Sequence, residues 1–111
     1  MNLERINRVH FIGIGGIGMS ALAKFFFCKG VEVSGYDRSK TEITLLLSNL
    51  GSHIIYHDDI SSIKDIESVD LVVFTPAISS NNVQLNHFKK TNIPIHKRAY
   101  ILGEITKSYQ T

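Results

Sequence analysis

The sequence predicts an α/β fold: an open parallel sheet of about five strands with helices on both faces. Three observations carry this reading. Short apolar runs alternate with longer helix-forming stretches along all 111 residues. That alternation marks strand–helix–strand units joined by right-handed crossovers. The strand candidates are apolar on consecutive residues, as in Asp70-Leu71-Val72-Val73-Phe74, so both of their faces are buried. Finally, glycines punctuate the handover from strand to helix, first in Gly13-Ile14-Gly15-Gly16-Ile17-Gly18.

The elements follow in order. A first strand is expected over 9–14 and a first helix from Ile17 to Lys29, stopped by Gly30. Phe25, Phe26 and Phe27 are consecutive in that helix. At about 100° per residue they span roughly 200°, so one is expected to be exposed or covered by a further domain. Cys28 reads as a small core residue. Val31 to Tyr36 reads as the second strand. Ser39-Lys40-Thr41-Glu42 matches a capping box. Ile43, Leu46, Leu47 and Leu50 then recur at helical spacing as a core stripe, and Gly51 ends the helix. Ser52 to Tyr56 is the third strand and Asp70 to Phe74 the fourth, stopped by Pro76. A helix from Asn82 to Thr91 follows, with a weak stripe of Leu85 and Phe88. Ile93-Pro94-Ile95-His96 is a fifth strand, placed near an edge by its proline. Arg98 opens a last helical piece with Ile101, Leu102 and Ile105. His10 and His53 read as packing residues in strands, and Glu104 to Lys107 as a solvated end.

Composition narrows the function classes. Hydrophobic residues make up 43% and charged residues 20% of the chain, ordinary for one globular domain. The net charge of +2 is small, and the basic pairs Lys89-Lys90 and Lys97-Arg98 are scattered, so no nucleic-acid partner is expected. Lys24, Lys29 and Glu32 interrupt the longest apolar stretch, so no membrane span is expected. Met1 to Arg8 has no signal-peptide core. The single cysteine allows no intrachain disulfide and no cysteine zinc cluster, which suits a cytoplasmic setting.

The chemistry concentrates in the first glycine run. Gly13, Gly15 and Gly18 form G-x-G-x-x-G between a strand and a helix, the context of a Rossmann-like nucleotide site. Gly13 would permit the tight turn, Gly15 the approach of a pyrophosphate, and Gly18 close packing of helix on strand. Free amides and the helix dipole attract anions there. The loop has no lysine, so it is built to hold a diphosphate rather than to cleave a triphosphate. Asp37, at the end of the second strand, stands where such folds place a ribose-binding acid. His57-Asp58-Asp59 could suggest a metal, but adjacent residues on an extended segment point apart. His57 is read instead as a nucleotide contact. The crevice is expected among Gly13 to Ser20, Asp37 to Ser39, His57, Thr75 to Ile78 and Arg98.

Gly13-Ile14-Gly15-Gly16-Ile17-Gly18-Met19-Ser20, Gly35-Tyr36-Asp37, Ala77-Ile78-Ser79 and Arg98-Ala99 together resemble the N-terminal domain of the Mur ligases. Within that family they resemble the ligases that join L-alanine to UDP-N-acetylmuramate in peptidoglycan synthesis, over essentially the whole chain. The resemblance implies that residues 1–111 are a UDP-sugar-binding domain. Central ATP-binding and C-terminal domains of such an enzyme would supply ATP, magnesium and L-alanine, so this piece alone would not catalyse. It implies that Gly15, Gly16, Ile17, Gly18, Met19 and Ser20 hold the diphosphate and that Asp37, Arg38 and Ser39 meet the uridine. His57 would line the crevice, and Thr75, Pro76, Ala77, Ile78 and Arg98 would close it. No metal and no cofactor is implied for this piece. Thr75-Pro76, Tyr100 and Ala21 depart from the family pattern, which often has Ser-Ser, Glu and Gly there. A murein-peptide recycling ligase of the same family and an NAD-binding domain are the alternative readings.

Overall fold

The structure, a computed structural model, describes residues 2–108. Five strands, β1 (Arg8–Ile12), β2 (Glu32–Tyr36), β3 (His53–Ile55), β4 (Leu71–Phe74) and β5 (Ile95–Lys97), form one sheet in the order β3-β2-β1-β4-β5. Every pairing is parallel. The helices are α1 (Ile17–Cys28), α2 (Glu42–Leu50), α3 (Val83–Lys89) and α4 (Arg98–Ser108). Among the described residues no helix is long and apolar enough to cross a membrane.

Alternation along β1 builds the two halves of the core. Val9 and Phe11 face α1, α2 and α4, where Leu22, Phe26, Leu47 and Ile101 are buried with them. Ile12 faces the other way, with Leu85 and Phe88 of α3 and Val69 beneath the 56–70 connection. β1 lies at the centre, so its glycine loop opens in the middle of the sheet's carboxyl edge. Ile14 anchors that loop. It is fully buried and folds over Gly35, where a Cβ atom would lie 2.4 Å from Ile14 Cδ1.

Several expectations are corrected here. β1 stops at Ile12 because Gly13 turns the chain at φ +94°. The capping box of α2 is Thr41 with Thr44, not Ser39 with Glu42. Ser39 gives its amide to Asp37 Oδ1 instead, at 2.9 Å. Leu46 and Leu50 are 47% and 41% exposed, and α2 buries only Thr44 and Leu47. The helix lies at one side of the layer, against α1 and the edge strand β3, and so needs a narrow apolar face. Cys28 and His53 are exposed, not packed inside. None of the three phenylalanines is fully exposed: Phe26 is buried, and the half-buried Phe25 and Phe27 pack against the same core. β5 is an edge strand, as expected, but it begins after Pro94 and runs on to Lys97.

Candidate functional site

The loop after β1 spends its own amides on the fold. Gly13 and Ile14 donate to the Tyr36 carbonyl at 2.8 and 3.0 Å, and Gly16 donates to the Gly13 carbonyl at 3.3 Å. Gly15 donates to Asp37 Oδ2 at 2.9 Å. The three donors after these, on Ile17, Gly18 and Met19, have no partner among the described residues, and pairing resumes with Ser20 to the Gly16 carbonyl at 2.7 Å. The N-cap of α1 is Gly16, which has no side chain to close the end, and the first turn carries no acid. α3 shows what closure looks like. Asn82 Oδ1 accepts from Leu85, and Asp58 accepts from Val83 and Gln84 at 2.7 and 3.1 Å.

Asp37 and Arg98 occupy the spaces that two of the glycines leave. A Cβ on Gly15 would lie 2.7 Å from Asp37 Oδ2, and one on Gly18 would lie 2.9 Å from the Arg98 guanidinium. Gly15 therefore makes room for a carboxylate clamp, and Gly18 makes room for a cation, not for the strand. Arg98 has no hydrogen bond or ion pair among the described residues. A cation beside the positive end of a helix is unfavourable by itself. Arg98 and the open amides together form a strong seat for an anion.

A cleft of about 550 Å³ opens on the α3 side of this loop. Of the residues read from sequence, Gly16, Met19, Asp37, Arg38, Thr75, Ala77 and Ile78 line it. Thr75 and Ile78 pack on Gly13, where a Cβ would meet Thr75 Cγ2 at 2.6 Å. The others stand elsewhere. Ser20 is buried, with its hydroxyl donating to the Ile17 carbonyl at 2.9 Å. Ile17 is 83% exposed. His57, Ser39 and Pro76 are exposed and do not line the cleft. Arg98 flanks α1 without lining the cleft. Two other concavities, of about 680 and 490 Å³, lie at the opposite edge of the sheet, around Phe25 and Val31 and around Phe27 and His53, away from the glycine loop. Among the described residues no cluster suits a metal ion.

Tyr36, Asp58, Ser79, Asn81 and Asn82, to which sequence reasoning assigned no ligand contact, also line the cleft. Sequence reasoning also read His10 as packing only. His10 is fully buried in β1, with Nδ1 2.7 Å from Ser34 Oγ and Nε2 2.8 Å from Gln84 Oε1. The Gln84 amide nitrogen donates to the carbonyls of Asp59 and His57 at 3.0 and 3.5 Å, so its oxygen must accept from His10 Nε2–H. Burial pushes His10 down to about 4, against a smaller upward effect of Gln84. This chain of bonds holds residues 57–59, and with them Asp58, against α3.

Residues 8–110 match the family described as "Mur ligase family, catalytic domain". The chain belongs to the Mur ligase family. The UDP-N-acetylmuramate–L-alanine ligase of Parabacteroides distasonis is 41% identical over 111 residues, covering 97% of this chain and 24% of that protein. The enzyme of the same name from Flavobacterium johnsoniae is 46% identical over 109 residues, covering 96% of this chain and 24% of that protein. This Mur ligase chain thus spans about a quarter of the length of these relatives. Among solved structures, the UDP-N-acetylmuramate-alanine ligase of Thermotoga maritima superposes with TM-score 0.83 at 35% identity, over 91% of this chain and 23% of that one. A UDP-N-acetylmuramate:L-alanyl-gamma-D-glutamyl-meso-diaminopimelate ligase from Neisseria meningitides shares the fold, with TM-score 0.78 at 24% identity over 89% of this chain and 31% of that one.

Proposed function

We propose that this chain is the UDP-N-acetylmuramate-holding, N-terminal domain of a UDP-N-acetylmuramate–L-alanine ligase, acting in cytoplasmic peptidoglycan synthesis. The observation that carries the proposal is the open first turn of α1. Three amides, on Ile17, Gly18 and Met19, and the nearby Arg98 guanidinium have no partner among the described residues. Hydrogen bonds involving charged groups contribute about 1.5–3 kcal/mol each, so a few of them offset much of the cost of association. The diphosphate sits on that turn, and Gly15 and Gly16 shape the loop without donating to it. The remainder of the nucleotide sugar extends past Met19 and Asp37 toward Thr75, Ala77 and Ile78. The 111 residues hold no G-x-x-x-x-G-K-[ST] run, so ATP, magnesium and L-alanine belong to other parts of such an enzyme. The relatives at 41% and 46% identity carry the L-alanine name, which favours that activity over murein-peptide recycling.

The names of the relatives favour a nucleotide sugar over NAD. Asp37 spends one bond of each carboxylate oxygen on Gly15 and Ser39, so it serves first as a clamp on the loop. Titration of the ¹⁵N-labelled chain tests the proposal. UDP should shift the amides of Ile17, Gly18 and Met19 and should compete with NAD for them. ATP with magnesium should give no hydrolysis. A chain whose α1 amides ignore UDP would refute the proposal.

A further inference from the structure

Tyr36 presents a chemical group that the fold leaves unused. It ends β2 with 9% of its surface exposed, and its ring is packed in the half-core that holds Ile12, Ile55 and Leu85. It also lines the cleft. Its hydroxyl has no hydrogen-bond partner among the described residues. A phenylalanine would fill the same apolar space without bringing a polar atom that must be satisfied. Burial, then the charges of Asp58 and Asp37, raise the Tyr36 pKa, so the phenol keeps its proton and remains a donor.

The neighbours define what it can donate to. Asp37 and Asp58 both border the cleft. Each of their four oxygens already accepts one backbone amide, from Gly15, Ser39, Val83 and Gln84. One lone pair remains on each oxygen. This corner therefore offers one donor and several anionic acceptors. Two carboxylates repel a phosphate, which has its own seat at α1. They suit neutral hydroxyl groups, which donate to carboxylates and accept from a phenol.

We propose that Tyr36 is a ligand-contacting residue of this cleft, donating to a hydroxyl of a sugar diol whose own hydroxyl protons go to Asp37 and Asp58. The inference deepens the nucleotide-sugar reading and rests on it. The diol belongs either to the ribose or to the hexose, and the choice of ligands separates the two.

The test compares the wild-type chain with Tyr36→Phe, following backbone amide shifts on titration with inorganic pyrophosphate, UDP and UDP-N-acetylglucosamine. The phenylalanine variant should melt within about a degree of wild type and hold pyrophosphate equally well. Its affinity for the sugar-bearing ligands should fall about three- to tenfold, the worth of one hydrogen bond. A loss with UDP and UDP-N-acetylglucosamine alike supports the proposal and assigns the ribose. A loss with UDP-N-acetylglucosamine alone supports it and assigns the hexose. Equal affinities for all three ligands, or a loss that includes pyrophosphate, overturn the role of Tyr36 and leave the nucleotide reading standing. A wild-type chain that takes up none of the three overturns both.

Discussion

Acidification should destabilise this chain through one histidine. His10 is buried and its pKa is lowered from 6.5 to about 4, chiefly by burial. Between those two values the unfolded chain binds a proton that the folded chain refuses. The contribution of neutral His10 to stability is therefore complete above pH 6.5. It drains away as the pH falls through the window and is gone below about pH 4. At roughly 1.4 kcal/mol for each tenfold change in proton affinity, the whole window is worth about 3 kcal/mol. Typical domains have about 5–15 kcal/mol in all. Urea titrations of wild type and His10→Asn at pH 7.5, 5.5 and 4.5 measure the effect. At pH 7.5 the variant should be less stable by about 1–3 kcal/mol, because Gln84 and Ser34 lose well-placed partners. By pH 4.5 that gap should shrink by about 2–3 kcal/mol, since only wild type carries the penalty. The two chains differ at position 10 alone, so the difference between their curves reports on that residue. Stability curves that fall in parallel would show that folded His10 takes up its proton freely, which would refute the reasoning.

Further predictions concern the loop and its supports. Gly18→Ala should leave stability unchanged, because the Arg98 guanidinium is the flexible group in its way. It should nonetheless weaken UDP binding about tenfold, as Arg98 is pushed from the first turn of α1; calorimetric titration reads this. Gly35→Ala drives a methyl into Ile14 and should cost about 1–3 kcal/mol in urea unfolding. Asp58→Ala uncovers the amides of Val83 and Gln84 and should cost about 1–2 kcal/mol. Its hydrogen-exchange protection should fall first in α3.

The alternation of elements and the glycine run were legible because both depend on neighbours in sequence. Gly13 needs its positive φ wherever the strand is to turn, and the edge placement expected of the fifth strand held although Pro94 stands just outside it. What stayed hidden depends on partners far along the chain. Gly15 meets Asp37 and Gly18 meets Arg98, so the same three glycines carry different duties from those that spacing suggested. Periodicity gave α2 a wide apolar stripe, but a helix at the edge of a layer buries only one line of residues. Asp58 drew notice only within His57-Asp58-Asp59, whose metal reading was set aside, and only the fold brings it to the start of α3. His10 looked like filler because nothing local reveals Gln84, 74 positions away.

The self-pairing of the glycine loop has a thermodynamic consequence. With Ile14 pinned under the core and Gly13, Gly15 and Gly16 already bonded, the backbone would meet the proposed phosphate in its working shape. No ordering penalty is charged at the moment of capture. Association should therefore be fast and accompanied by little change in backbone mobility, and any slow step in a complete ligase would arise downstream of this encounter.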